Sequence, residues 1–195
     1  MYDTYMNISM IAFLGNKGSS YSFTRHNSGW LFFQYHFSHV EQDLVQKFHG
    51  LHGQVHLKDS SCRVLLPHTY MNESGVSVGA MVRYFSIPVE ELLVVHDDLE
   101  LPFAKVVLQK GGGLAGHNGL KSIANHLSSK EFLRLRIGIS RPKTQGVASY
   151  VLSRFSPIEE PLLPIIFDNA MNLICEYMQS DNKKSILPLL HSLPL

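Results

Sequence analysis

Residues 92–98 read LLVVHDD, four apolar residues in succession followed by a histidine and two acids. A run that is apolar at odd and even positions alike fits a strand buried on both faces, as in the interior of a parallel sheet. We therefore read 92–96 as a short buried strand running straight into Asp97 and Asp98. In open α/β sheets the ligand crevice lies beyond the carboxyl ends of the strands, so these acids mark a candidate site as well as a strand end.

Working outward, the same alternation of elements recurs. Residues 8–14 form a compact apolar run ending in Gly-Asn, a strand. Trp30, Leu31, Phe33, Phe37, Val40 and Leu44 then fall at three- and four-residue steps, which predicts a helix over 27–44 capped by Asn27 or Ser28. Strands are expected at 53–57 and 63–66, and a helix over 74–85 stops before Pro88. A strand at 104–108 leads into GGGLAGHNG, after which Leu120, Ile123, Ala124 and Leu127 define one face of a helix. Residues 132–139 alternate as a strand. A largely apolar helical pattern over 157–179 closes the chain, with a further short helix expected after it. Strands alternating with helices indicate one α/β domain over 1–195, a mixed, mostly parallel twisted sheet with helices on both faces.

Composition agrees with a single globular domain of 195 residues, 45% hydrophobic and 17% charged. The apolar runs fall well short of the ~20 residues of a membrane span. The opening MYDTYMNISM carries an acid and no Lys or Arg before its short apolar stretch, unlike a secretory signal. Cys62 and Cys175 lack metal-type spacing and suit a reducing compartment, so the chain reads as cytoplasmic with packing cysteines. A net charge of +1 excludes a grossly basic nucleic-acid binder but permits a local basic patch.

Four polar clusters follow strands: GNKGSSYSFTRHN, PHTYMNESG, HDDLE and GGGLAGHNG. Together they bring Asn16, His26, Asn72, Asp97 and Asn118 toward one rim. Singly, each has a plain structural reading. With eleven histidines in the chain, His26 alone is most simply a surface or packing residue, Asp97 a turn residue, and the asparagines turn or cap residues. Converged, three amides would clamp an ester or amide while an imidazole and a carboxylate act as base and orienter. No nucleophile accompanies them, since neither cysteine is near and no Gly-x-Ser-x-Gly elbow occurs. Water is then the attacking group.

Two competitors are weaker. Gly111, Gly113 and Gly116 satisfy G-x-G-x-x-G, but the ribose-binding acid that should end the next strand is missing, and Gly119-Leu120-Lys121-Ser122 breaks the P-loop spacing. His36 with His39, and His52 with His56, could each share a face, yet neither pair has an evident third metal ligand.

Taken in order, GNxG with Tyr21, TRHNxG at 24–29, TYMNxSG at 69–75, HDDL at 96–99 with Leu101-Pro102, GGG at 111–113, GHNGLK at 116–121, and RLRIGI at 134–139 with Pro142 resemble the bacterial peptidyl-tRNA hydrolase family over nearly the whole chain. The resemblance implies hydrolysis of the ester between a peptide and the 3′ ribose of tRNA by a cytoplasmic monomer that binds the acceptor stem and 3′ end. It makes His26 the general base and Asp97 its orienter. Asn16 and Asn72 would bind around the ester, and Asn118 would orient water or stabilise the oxyanion. Tyr21 and Met71 become pocket walls. No metal or organic cofactor is implied, and no obligate protein partner.

The chain departs from the family at Lys17, where Pro is usual, at Leu114, where Gly or His is usual, and at Val107 and Gln109, where basic residues usually grip the tRNA 5′-phosphate. Arg136 is retained, and Lys105, Lys110 and Lys121 lie near; we expect Lys110 or Lys121 to supply the lost charge. The alternative class is a non-catalytic RNA- and protein-binding member of this fold, of the splicing-factor type. Such a member should carry a transit peptide, and the N-terminus has no Arg- or Ser-rich leader.

Overall fold

The computed structural model describes residues 7–57, 60–183 and 186–193. The N-terminal residues 1–6, on which the expectation of no secretory signal or transit leader rests in part, lie outside the described residues. Among the described residues eight strands form one mixed sheet: β1 (Met10–Phe13), β2 (Val45–Lys47), β3 (Gly50–Leu57), β4 (Ser60–Pro67), β5 (Leu92–Asp98), β6 (Lys105–Lys110), β7 (Leu133–Gly138) and β8 (Leu189–Ser192). Their spatial order is β2-β3-β4-β1-β5-β7-β6-β8. The centre, β4-β1-β5-β7, is parallel, and both margins are antiparallel.

Among the described residues five α-helices accompany the sheet: α1 (Ser28–Phe37), α2 (Ser74–Tyr84), α3 (Asn118–Leu127), α4 (Val147–Val151) and α5 (Leu163–Gln179). Because side chains alternate across a strand, the apolar runs of β1 and β5 supply two cores at once. Ile11, Phe13, Leu93 and Val95 meet Phe32, Phe33 and Phe37 of α1 and Ile166, Phe167 and Leu173 of α5. Met10, Ala12, Leu92 and Val94 meet Val78, Met81 and Val82 of α2 and Leu120 and Ile123 of α3. Each large side chain so buried contributes roughly 1.5–3 kcal/mol. The ring of Phe13 stands edge-on to Phe33 at 5.2 Å, which anchors α1, and with it the turn that carries His26, against the central strand.

Several expectations need correction. The helix expected over 27–44 ends at Phe37 and tightens into a 3₁₀ segment, Ser38–Asp43. Val40 and Leu44 still pack on the core through that turn, so apolar periodicity alone does not reveal the change. Neither Asn27 nor Ser28 caps α1 with its side chain: Asn27 holds the backbone of Asn16, and the Ser28 hydroxyl donates to the Arg25 carbonyl. The short helix expected after α5 is instead β8, which pairs with the open edge of β6. Finally, β6 runs antiparallel to β7. The glycines that follow it therefore start at the amino edge of the parallel strands, opposite to where the crevice rule had placed them, and the chain crosses back before His117.

Candidate active site

On β5 the alternation that sends Leu93 and Val95 toward α1 sends Asp97 the same way, just past the apolar core. The 3₁₀ turn Arg25–Asn27, which feeds directly into α1, sets His26 over it. His26 Nδ1 lies 2.9 Å from Asp97 Oδ1, with Asp97 buried. His117 Nε2 lies 3.1 Å from the same oxygen. The Nδ1 of His117 accepts the Leu120 backbone N–H at 3.3 Å, capping α3. Its proton must therefore sit on Nε2, which donates to Asp97. Asp97 likewise fixes the proton of His26 on Nδ1 and leaves Nε2 with a free lone pair.

A third imidazole lies beneath. His96 is buried, its Nδ1 donates to the Asp97 carbonyl, and its ring meets His117 edge-on at 5.1 Å. Burial, aided by His117, drives the His96 pKa down to about 3, so it stays neutral. Burial also works against charge on Asp97 and His26, but their mutual attraction wins, and His117 adds to it at Asp97. The Asp97 carboxyl is held well below its usual range, and the pKa of His26 is raised. His26, Asp97 and His117 are also close enough together to hold a metal ion. The tautomers argue for a hydrogen-bonded set instead, because the lone pair His117 would offer a metal is the one that carries its proton.

These groups open into a cavity of about 670 Å³. Asn16, Tyr21, His26, Met71, Asn72, Asp97 and Asn118, all singled out from sequence, line it. Asn16 is clamped: its backbone N–H and C=O engage the Asn27 amide at 2.9 and 3.0 Å, and its Oδ1 accepts the Met71 N–H at 2.8 Å. This joins the loops after β1 and β4 and leaves the Asn16 Nδ2 group without a hydrogen-bond partner among the described residues. Arg136 and Lys110 are not part of the lining. Arg136 is engaged by Asp98 at 2.7 Å and by Gln109 at 2.6 Å.

Sequence reasoning missed His117, Tyr70, Leu99, Arg141 and the α4 residues Val147, Ala148, Val151 and Leu152 just beyond it, all of which contribute to the cavity. His117 had a signal, since it directly precedes Asn118 at a helix start; α4 is too short for periodicity to show. The glycine loop has its own explanation. Arg134, buried, donates to the Gly111 and Gly113 carbonyls, and Gly111 and Gly112 adopt φ of 60° and 89° to wrap it. Its carbonyls face a guanidinium, an arrangement unlike a phosphate cradle of N–H groups.

An α/β sheet with an imidazole–carboxylate pair and three amides at the end of its parallel strands defines a hydrolase-type site without a protein nucleophile. The comparisons carry this further. Residues 10–191 match the family model described as peptidyl-tRNA hydrolase. The chain is 42% identical over 171 residues to the peptidyl-tRNA hydrolase of Geotalea daltonii, covering 87% of this chain and 89% of that one. It is 41% identical over 190 residues to that of Treponema pallidum, covering 93% and 92%. The crystal structure of peptidyl-tRNA hydrolase from Acinetobacter baumannii superposes with a TM-score of 0.80 at 36% identity, covering 91% and 92%. The chain belongs to the peptidyl-tRNA hydrolase family. Its fold is that of the family, and no helix among the described residues is long and apolar enough to cross a membrane.

Proposed function

We propose that this protein hydrolyses the ester joining a peptide to the 3′-terminal ribose of tRNA, with His26 as general base. The observation that carries the reading is the 2.9 Å contact of His26 Nδ1 with the buried Asp97 carboxylate inside a cavity lined by Asn16, Asn72 and Asn118. His26 Nε2 takes a proton from water as the water oxygen bonds to the ester carbonyl carbon. The C–O bond to the ribose then breaks, and the same proton passes to the departing 3′ oxygen. Asp97 stabilises the imidazolium that forms between these steps. Asn118, in the first turn of α3, donates to the developing oxyanion near the positive end of that helix. Asn16 Nδ2 and the exposed Asn72 amide hold the substrate around the ester, with Tyr21 and Met71 as walls.

Arg136 is the cation we assign to the tRNA phosphate, with Lys110 or Lys121 in support. All the lining residues assigned above come from one chain; we read residues 1–195 as one domain and propose that it acts as a monomer in the cytoplasm, where its substrate is found. The non-catalytic alternative is not favoured, because the relatives across the chain are themselves named as hydrolases. The test is release of free tRNA from a purified N-acyl-aminoacyl-tRNA. Wild type should be active and His26→Ala reduced by about 10²–10⁴-fold. A folded but inert wild type would overturn the activity, and an active His26→Ala variant the assignment of the base.

A further inference from the structure

The residue before the base has no part in the chemistry above, yet it is among the most heavily engaged side chains of the molecule. Arg25 is buried. Its Nη1 donates to Ser153 Oγ at 2.7 Å and to the Arg154 carbonyl, and its Nη2 meets Glu159 Oε2 at 2.6 Å. Its guanidinium lies 4.3 Å from the centre of the Tyr150 ring and 5.2 Å from that of Phe155. The backbone adds an Arg25 N–H to Ser153 carbonyl bond of 3.0 Å and a bridge between Thr24 and Arg154. Every one of these partners lies in α4 or in the ten residues after it.

That destination matters because α4 and Leu152 supply four residues of the cavity lining. A five-residue helix has no stability of its own, since the first turn of any helix is costly to form. Its placement rests on tertiary contacts: Tyr150, whose hydroxyl donates to the Ile139 carbonyl, and the Arg25 fork against that same ring.

We infer that Arg25 is a positioning residue that locks the cavity wall formed by α4 to the turn carrying His26, so that the substrate and its base share one frame. The inference rests on the reading of the cavity as the hydrolytic site. A lysine cannot reproduce the planar fork that reaches a hydroxyl, a carbonyl and a carboxylate together. Glu159, partly exposed, can turn to water when the pairing is lost.

The experiment compares wild type, Arg25→Lys, Glu159→Gln and His26→Ala in steady-state hydrolysis of N-acyl-aminoacyl-tRNA across pH, alongside thermal unfolding. Glu159→Gln should raise KM with kcat almost unchanged, because it loosens the wall alone. Arg25→Lys should also lower kcat, by up to about 10²-fold, the cost of a catalytic group displaced by a small distance. It should also move the acid limb toward the ordinary histidine value as His26, which faces Asp97 on β5 and His117 before α3, slackens against the carboxylate. Unchanged kinetic constants in both folded variants would overturn the inference, as would loss of activity that tracks melting temperature with an unshifted pH profile. An inert wild type or an active His26→Ala would instead sink the reading of the cavity; normal Arg25→Lys beside inactive His26→Ala would sink this inference alone.

Discussion

Asp97 Oδ1 receives His26 Nδ1 at 2.9 Å from a residue 71 positions earlier in the chain, and this one contact decides which nitrogen of the imidazole is left free at the cavity. With Nδ1 committed to the carboxylate, Nε2 is the nitrogen that the proposed mechanism uses as base. Asp97→Asn keeps the shape but removes the charge that stabilises the imidazolium. Turnover of N-acyl-aminoacyl-tRNA should fall by about 10²–10⁴-fold with substrate affinity retained, measured as single-turnover tRNA release.

The pH profile follows from the same pair. Burial lowers the His26 pKa, but the Asp97 charge and hydrogen bond raise it further, so the folded value exceeds the ordinary 6.5. Since the proposed mechanism needs the neutral ring, kcat/KM should climb with pH through a midpoint above 6.5, and Asp97→Asn should move that midpoint down. The stability linkage has the opposite direction. A raised histidine contributes stability that is fully present below its unfolded pKa and is lost as pH rises through the folded one. Chemical denaturation at several pH values, in wild type and His26→Ala, checks it.

His117 can be separated from its structural role. It caps α3 through Nδ1 and donates to Asp97 through Nε2. His117→Asn keeps a favoured cap residue while removing the donor to the carboxylate. The fold should lose about 1.5–3 kcal/mol, the worth of a hydrogen bond to a charged group, read by urea unfolding, while α3 stays capped and tRNA release slows as Asp97 loses one of its two donors.

Gly29 tests how tightly α1 is seated behind the base. A Cβ there would stand 2.5 Å from the Leu14 nitrogen and 2.6 Å from the Val95 carbonyl oxygen, both backbone. Gly29→Ala should therefore destabilise the fold by about 1–3 kcal/mol or more, read by urea unfolding, whereas Gly146→Ala, with only a Ser149 hydroxyl near at 3.8 Å, should not.

The proposed assignment of Arg136 to the tRNA phosphate can be tested through its salt dependence. Arg136 donates to Gln109 Oε1 at 2.6 Å and is paired with Asp98. Arg136→Ala should raise KM for the tRNA ester and flatten its dependence on salt by about one counterion. Unchanged salt dependence there, but a loss on combined Lys110→Ala and Lys121→Ala, would move the contact to the lysines.

What the sequence determined by itself is local and periodic. LLVV before two acids sets a buried strand with a carboxylate at its end, and the spacing of Leu120, Ile123, Ala124 and Leu127 sets a helix, because side-chain burial repeats at two or 3.6 residues whatever the rest of the chain does. The motifs around His26, Asn72, Asp97 and Asn118 carried the family resemblance, from which the roles proposed for them derive. The tertiary structure alone decided strand direction, the short elements and the shared partners. A strand buried on both faces looks the same run either way, so β6 gave no hint that it opposes β7. Elements of three to five residues, such as β2 and α4, hold too few positions to display a period and exist through what they pack against. That Asp97 serves two imidazoles, and that Arg25 ties the base to the cavity wall, depends on distances closed by the folded sheet between residues far apart in the chain, which no local pattern encodes.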